Sequence, residues 1–336
     1  MNKPISDHST LSTIAALIAR GLEKYGCDSQ SLFRKAGMDP EKLKNPDTRY
    51  SVKKMQHLWQ LAVEETGQEA FGILLMKDFP PATLQGLGFA WLASDTLWDA
   101  INRLERYAHF ISTAAHFSLL KKKGEYHLVF SPVPDYLGDM VPASLDAALA
   151  LVVQMCRLSV APDMVPLQVD LSHEPPRELE IYNDFFRAPI NFSAKRNVLV
   201  FDHEQIEKKL VFSNPKLARA NDQMVVDYLD YFDRDNIAQK VRIQIIDHLP
   251  SGVPSQKKIA QSLNLSLRSM QRQLHREKTT FKSALEDIRK TLARQYLKDS
   301  PRSIGEIAYL LGFSEPSSFV RAFKRWNGKT PSQYRS

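Results

Sequence analysis

The sequence predicts a two-domain chain, an α+β domain followed by an all-α domain that holds two helix-turn-helix units. Three observations predict it. The 336 residues are 43% hydrophobic, enough for two separate cores. Helix-period and strand-period apolar patterns interleave through the first part of the chain, and from about residue 204 only helix-period patterns follow. Charge divides in a similar way. Residues 241–336 hold 18 Lys and Arg against 7 Asp and Glu, a balance of +11, while the first 240 residues hold 27 against 31, a balance of −4.

In the first domain, placed at residues 1–210, Leu11, Ile14, Leu17, Ile18 and Leu22 form a helical stripe over 11–25. Further helical patterns cover about 28–36, 51–66, 69–77 and 95–113. The period then drops to two. Phe117 and Leu119, then Tyr126, Leu128 and Phe130, alternate on either side of Lys121-Lys122-Lys123-Gly124, which predicts a hairpin. A long apolar helix is expected over 143–160, a strand near Leu167–Leu171, a helix near 176–186 and a strand near Val198–Phe201. A helical connector is placed at 211–235, its stripe running through Leu217, Met224, Val225, Tyr228, Leu229 and Phe232. A second stripe, Ile237 to Leu249, opens the last domain (236–336) and stops at Pro250-Ser251-Gly252-Val253-Pro254.

Two segments of that domain share one grammar. Ser255 can cap a helix with Ile259, Ala260 and Leu263 on its buried face. Asn264 follows where the chain must turn, Leu265 plugs the turn, and Ser266 caps a second helix buried through Met270 and Leu274. In the later segment Ser303 and Glu306 form an S-x-x-E capping box. Ile307, Ala308 and Leu311 give the buried face, Gly312 ends the helix and Phe313 fills the turn. Ser314 is the expected cap of the next helix, with Pro316 in its first turn and Phe319, Phe323 and Trp326 at helical spacing. That spacing assigns Phe313, Phe319, Phe323 and Trp326 to core rather than to a base-stacking platform. Phe281, Leu285, Ile288, Leu292 and Tyr296 mark a long helix joining the two segments. Duplication of the unit together with the +11 block points to a polyanion partner, nucleic acid first among them.

The run Ile307-Ala308, Leu311-Gly312-Phe313, Ser318-Phe319, Arg321 to Trp326, Gly328, Thr330-Pro331 and Tyr334-Arg335 resembles the signature of the AraC/XylS transcription regulators. The resemblance covers about residues 236–336. It implies a regulator that binds double-stranded DNA at a promoter, with RNA polymerase an expected partner, and whose two recognition helices, near 266–276 and 314–326, lie in successive major grooves. Arg268, Gln271 and Arg272 then face base edges from the first helix, since Arg can donate two bonds to guanine and Gln can pair with adenine. Glu315, Ser317, Ser318 and Arg321 hold the outward positions of the second, a set poor in long donors. Arg321 is the expected base reader there, with Ser317 and Ser318 nearer phosphate. Lys324, Arg325 and Lys329 are cast as backbone-charge contacts.

The first domain resembles the N-terminal effector domain of the ornithine-utilisation-regulator branch of that family. The text that carries it is Leu32-Phe33-Arg34-Lys35-Ala36-Gly37, the Arg49-Tyr50-Ser51 turn before a helix, and the stretch Gly67 to Gly72. A small-molecule effector is implied, without pointing to arabinose. Trp91, Trp98, Tyr107 and Phe110 are the candidate pocket residues, each also readable as core. Two readings therefore stand: an effector-controlled regulator, and a constitutive DNA-binding protein whose first domain only dimerises. A homodimer is expected on either, through the first domain or the connector.

Other classes find no support in the residues. No G-x-S-x-G, HExxH or Walker loop is present, so no catalytic, metal or cofactor site is predicted. Gly86-Leu87-Gly88 begins like a dinucleotide fingerprint, but Trp91 stands at the third glycine and no strand precedes it. An enzyme fused to a DNA-binding domain would need an activated cysteine, and neither Cys27 nor Cys156 has an activating neighbour. The two are read as buried free thiols, with one disulfide between them left open. His109 and His116 are expected in the core beside Phe110 and Phe117. No apolar run reaches the ~18 residues of a membrane span, and Met1 to Thr10 lacks a signal-peptide pattern, so the cytoplasm is the expected compartment.

Overall fold

The computed structural model describes residues 8–133, 136, 138–234, 237–277, 279–299 and 302–335. Two compact units divide the chain between Asp227 and Tyr228, inside one helix.

In the first unit β1 (Ser9–Leu11) pairs antiparallel with β2 (Arg49–Ser51), and α1 (Ser12–Lys24) and α2 (Ser29–Lys35) lie between them in sequence. Next come α3 (Val52–Thr66), α4 (Phe71–Met76), α5 (Gln85–Leu92) and α6 (Leu97–Ile111), then the hairpin β3 (Ala115–Lys122)–β4 (Glu125–Pro132). The long α7 (Pro142–Ser159) is followed by β5 (Gln168–Asp170), α8 (Leu179–Phe186), β6 (Ile190–Asn191), β7 (Asn197–Asp202) and α9 (His203–Glu207). The helix that holds the division is α10 (Pro215–Arg234). The main sheet has the order β3-β4-β7-β5-β6, with only β5–β6 parallel.

Alternation in the hairpin sets the register. Phe117 faces Phe130 and Leu119 faces Leu128, while Tyr126 and Leu128 of β4 pair with Phe201 and Leu199 of β7. One face of the sheet is thereby loaded with large side chains, as period-two patterning requires. Helix α7 is buried on almost every side, and its apolar run has no polar face to give to water. Helix α4 crosses it at Gly72, where a Cβ would stand 2.0 Å from the Ala143 carbonyl oxygen. The Gly67 to Gly72 stretch thus has a packing reason.

A buried polar knot ties α7 to α8. Asp146, fully buried, accepts from Tyr182 Oη at 2.6 Å and lies 2.8 Å from His173 Nε2. The other ring nitrogen of His173 is 2.8 Å from the Glu174 carbonyl, so both face acceptors and the imidazolium fits. Burial pulls the His173 pKa down, but the bond to Asp146, its charge and the Glu174 carbonyl outweigh burial and leave it raised.

Four expectations are corrected here. Arg49-Tyr50-Ser51 is a strand rather than a turn, because Arg49 locks it: Nε donates to Ser9 Oγ at 2.8 Å and Nη1 to the Phe110 carbonyl at 2.7 Å. Cys27 is only half-buried, whereas Cys156 is fully buried and its thiol pKa is pushed up by that burial. Both are free, so the disulfide left open does not form. His109 is exposed, because Glu105, Arg106 and His109 share the solvent face of α6 opposite Leu104 and Ala108, and His116 is half-buried, because on β3 it alternates away from buried Ala115 and Phe117. Gly86-Leu87-Gly88 lies within α5, a helix the apolar pattern did not announce.

The second unit is helical throughout its described residues: α11 (Ile237–His248), α12 (Gln256–Ser262), α13 (Leu267–Arg276), α14 (Phe281–Asp299), α15 (Ile304–Leu310), α16 (Pro316–Asn327) and α17 (Pro331–Arg335). Its core gathers Val241, Ile259, Met270, Ile288, Ile307 and Phe319 from six of these helices. No helix of either unit, among the described residues, is long and apolar enough to cross a membrane.

Candidate nucleic-acid interface

Helices α12–α13 and α15–α16 form two helix-turn-helix pairs whose turns close alike. Leu265 N–H donates to the Ala260 carbonyl at 2.9 Å, and Phe313 N–H to the Ala308 carbonyl at 3.0 Å. Both turns need a left-handed residue, Asn264 at φ 54° and Gly312 at φ 67°. Gly312 is constrained twice, since a Cβ there would also meet Leu249 at 3.2 Å. Ser255 and Ser266 cap α12 and α13 through the N–H groups of Lys258 and Ser269. The Ser303–Glu306 capping box closes in both directions, and the Ser303 N–H and hydroxyl, both donating to Glu306 Oε2, hold the Glu306 pKa below its usual value.

Ser314 does not cap α16; Glu315 stands at the cap position, without a side-chain bond to the helix. Proline explains the shift. Pro316 occupies the first helical position and forces the residue before it out of helical geometry, so Glu315 is extended (φ −142°).

The outward faces of α13 and α16 differ in content. Arg268, Gln271 and Arg272 are all exposed, and Gln271 Nε2 donates to Gln256 Oε1 at 2.9 Å, bracing this outward face against α12. On α16 Ser317 Oγ donates to Glu315 Oε2 at 3.3 Å, and Arg321 reaches Ser318 Oγ at 3.4 Å. Arg321, Lys324, Arg325 and Lys329 are exposed, with Arg325 Nη2 3.6 Å from Glu286. Phe319 and Phe323 are fully buried, and Phe313 and Trp326 pack against the same core, so these four form no platform for bases.

Sequence reasoning missed what holds the second pair in place. Arg289 of α14 donates from Nε to the Leu311 carbonyl at 2.8 Å and from Nη2 to the Gly312 carbonyl at 2.7 Å. Its guanidinium lies 4.0 Å from the Phe313 ring centre, and burial lowers its pKa from the usual guanidinium value. Trp326 Nε1 donates to Glu286 Oε1 at 2.9 Å, and Arg294 Nε to Asn327 Oδ1 at 2.7 Å. The first pair has a different tie: Glu277, at the end of α13, accepts the Ile237 and Ala238 N–H groups at 2.7 and 2.9 Å and so caps α11.

The four candidate effector residues are not brought together. Trp91 and Phe110 are fully buried, and Trp91 Nε1 donates to Ser159 Oγ at 3.0 Å. Tyr107 is half-buried, with the Arg106 guanidinium 5.7 Å from its ring centre. Trp98 lines an open cleft shared with Asp99, Lys121 and Tyr126. A partly open pocket lies elsewhere. It offers about 120 Å³ between α1, α3, α6, α7 and the β3–β4 hairpin, with Gln56, Trp59, Phe117 and Phe130 in its wall. None of the four lines it.

The fold and the paired helix-turn-helix units define a DNA-binding transcription regulator with a separate N-terminal domain. Residues 26–210 match the family model described as the arabinose-binding domain of AraC transcription regulators, N-terminal, and residues 259–336 match a helix-turn-helix domain. The chain belongs to the AraC family of transcription regulators. It is 29% identical over 314 residues to the ornithine utilization regulator of Pseudomonas aeruginosa, covering 93% of this chain and 92% of that one. It is 24% identical over 325 residues to the HTH-type transcriptional regulator VirS of Mycobacterium tuberculosis, covering 94% and 93%. The crystal structure of the transcriptional regulator CdpR from Pseudomonas aeruginosa aligns over 94% of this chain and 96% of that one, at 19% identity and a TM-score of 0.44.

Proposed function

We propose that this regulator reads two successive major grooves on one face of a duplex, with α13 and α16 as recognition helices, under control of a small molecule bound in the first unit. One observation carries the reading of DNA. The exposed arginines of each pair stand on its second helix, beyond a turn closed by a left-handed residue. Arg268, Gln271 and Arg272 are the base readers of the first helix, and Arg321 is that of the second. Ser317 and Ser318 are spent on local bonds and lie nearer phosphate, while Glu315 holds an outward position at the helix start. Lys324, Arg325 and Lys329 neutralise the backbone.

The test is a titration of the full chain over single-base operator variants at two salt concentrations. Direct reading predicts that Arg272→Ala loses preference at one base position only. Equal weakening of every variant would make Arg272 a phosphate contact and overturn the assignment.

Pairing of two chains belongs to the same proposal. Helix α10 turns Ala218, Asn221 and Val225 inward and leaves Leu217 and Met224 half or more exposed, beside the exposed Phe212. These outward residues are the proposed self-association surface. At the promoter, RNA polymerase is the partner such a regulator acts upon. Light scattering at micromolar concentration decides the pairing: a dimer lost in Met224→Glu supports it, and a monomer both with and without DNA sinks it.

A further inference from the structure

The lining of this partly open cavity in the first unit limits what can occupy it. No Asp, Glu, Lys, Arg or His is in its lining. Four polar side chains reach it, and three of them are committed to one another or to the chain. Thr10 Oγ1 donates to Ser112 Oγ at 3.1 Å, and Ser144 Oγ lies 2.8 Å from the Val141 carbonyl. The fourth is Gln56. Its Oε1 accepts from the Val141 N–H at 2.8 Å and has Ser144 Oγ at 3.0 Å, where α7 begins. Those bonds fix the amide, and Nε2 is left without an acceptor among the described residues.

The remaining wall is apolar and aromatic: Ile14, Trp59, Met76, Phe117, Phe130 and Leu151. At about 120 Å³ the space is close to the ~150 Å³ apolar cavity that accommodates benzene. A charged amino acid would enter without a counter-charge, and a sugar would bring more hydroxyl groups than the free Gln56 amide and the Ser112 hydroxyl, which only accepts in the bonds described, can satisfy. An uncharged ring with a single acceptor, by contrast, gains from apolar burial and meets the free amide.

We propose that this cavity binds one small, uncharged, largely apolar molecule of single-ring size, its one hydrogen-bond acceptor meeting Gln56 Nε2. That this molecule is the effector rests on the regulatory reading above. The chemistry excludes arabinose, which the family model's description mentions, and ornithine, which the relative's name mentions.

Two of the nine methionines, Met76 and Met140, line the cavity and can report on it without any change to the wall. The experiment is methyl NMR of the full chain labelled at methionine, with the two resonances assigned by Met76→Leu and Met140→Leu. Benzene and benzyl alcohol are expected to shift both methyls saturably. Benzoate, L-ornithine and L-arabinose are expected to leave both unmoved at tenfold higher concentration. Benzyl alcohol should bind about tenfold tighter than benzene, and Gln56→Met should remove that advantage. The proposal is overturned if neither aromatic probe moves the two methyls, or if a charged probe moves them at the same concentration. An advantage of benzyl alcohol that survives in Gln56→Met overturns the role of Gln56. A DNA titration of the ligand-saturated chain then addresses control separately. Unchanged affinity there would remove the regulatory reading while the ligand class stands.

Discussion

The two helix-turn-helix pairs close their turns with the same hydrogen bonds yet divide their polar residues in opposite directions. In the first pair the long donors point outward, and a single glutamate, Glu277, ties the end of α13 back to α11. In the second pair the contacts with α14 are the rich ones: Arg289 on the turn, Glu286 on Trp326 and Arg294 on Asn327. The outward face of α16 is correspondingly short, with two serines and a glutamate at its start. One scaffold can thus be loaded for reading or for anchoring. Specificity should be concentrated where the donors are, and rigidity where the clamps are.

The largest effect that would break this comparison is removal of the clamp. Arg289→Met deletes two charge-assisted bonds to carbonyls at a helix end, each of which is worth roughly 1.5–3 kcal/mol, part of that recovered by water at this half-buried site. A loss of about 2–4 kcal/mol in urea unfolding of the second unit is expected, with DNA affinity falling chiefly at the half-site facing α16. A loss shared equally by both half-sites would show that the clamp does not belong to one pair. Next comes Arg272→Ala, expected to cost about 1–3 kcal/mol at one base position. Arg321→Ala should cost less than that in the same titration, and a reversed order would overturn the division between reading and anchoring.

Capping gives a smaller, sharper contrast. Ser303→Ala breaks a two-way capping box and Ser255→Ala a one-way cap, each costing about 1 kcal/mol by thermal unfolding, with Ser303 the larger. The box also has a sign in pH. Because Ser303 lowers the Glu306 pKa in the folded state, its contribution is present above the ordinary carboxylate value and fades as pH falls through the depressed one. Ser255 has no carboxylate and should show no such dependence. Smallest is Lys329→Ala, which should weaken all sequences alike and make the salt slope shallower by about one unit.

The helix ends of the second unit were legible because their signals are local. A serine, a left-handed residue and a plugging apolar side chain fall within a few positions of one another. The error at Ser314 came from the same neighbourhood, where proline overrides a good capping residue. Arg289 was not legible, since its partners lie 22 and 23 residues away and a guanidinium on a connecting helix reads as surface. In the first unit the long helices, the hairpin and β5 declared themselves by period, whereas β1, β2 and β6 have two or three residues each and exist through pairing. The cavity was hidden for a related reason. Its wall is assembled from distant segments, and aromatic content alone pointed to Trp91 and Phe110, which the fold spends on core.

Helix α14 runs unbroken for 19 residues, and at 1.5 Å per residue it is about 28 Å long. It behaves as a gauge block rather than a tether. Inserting about five base pairs between the two half-sites would carry the second to the far side of the duplex. Inserting a full turn of about ten would restore the facing but add roughly 34 Å of separation. A flexible joint recovers binding at the full turn. On the proposed two-groove reading this joint should not, and a promoter under its control is then expected to be fixed in length as well as in phase.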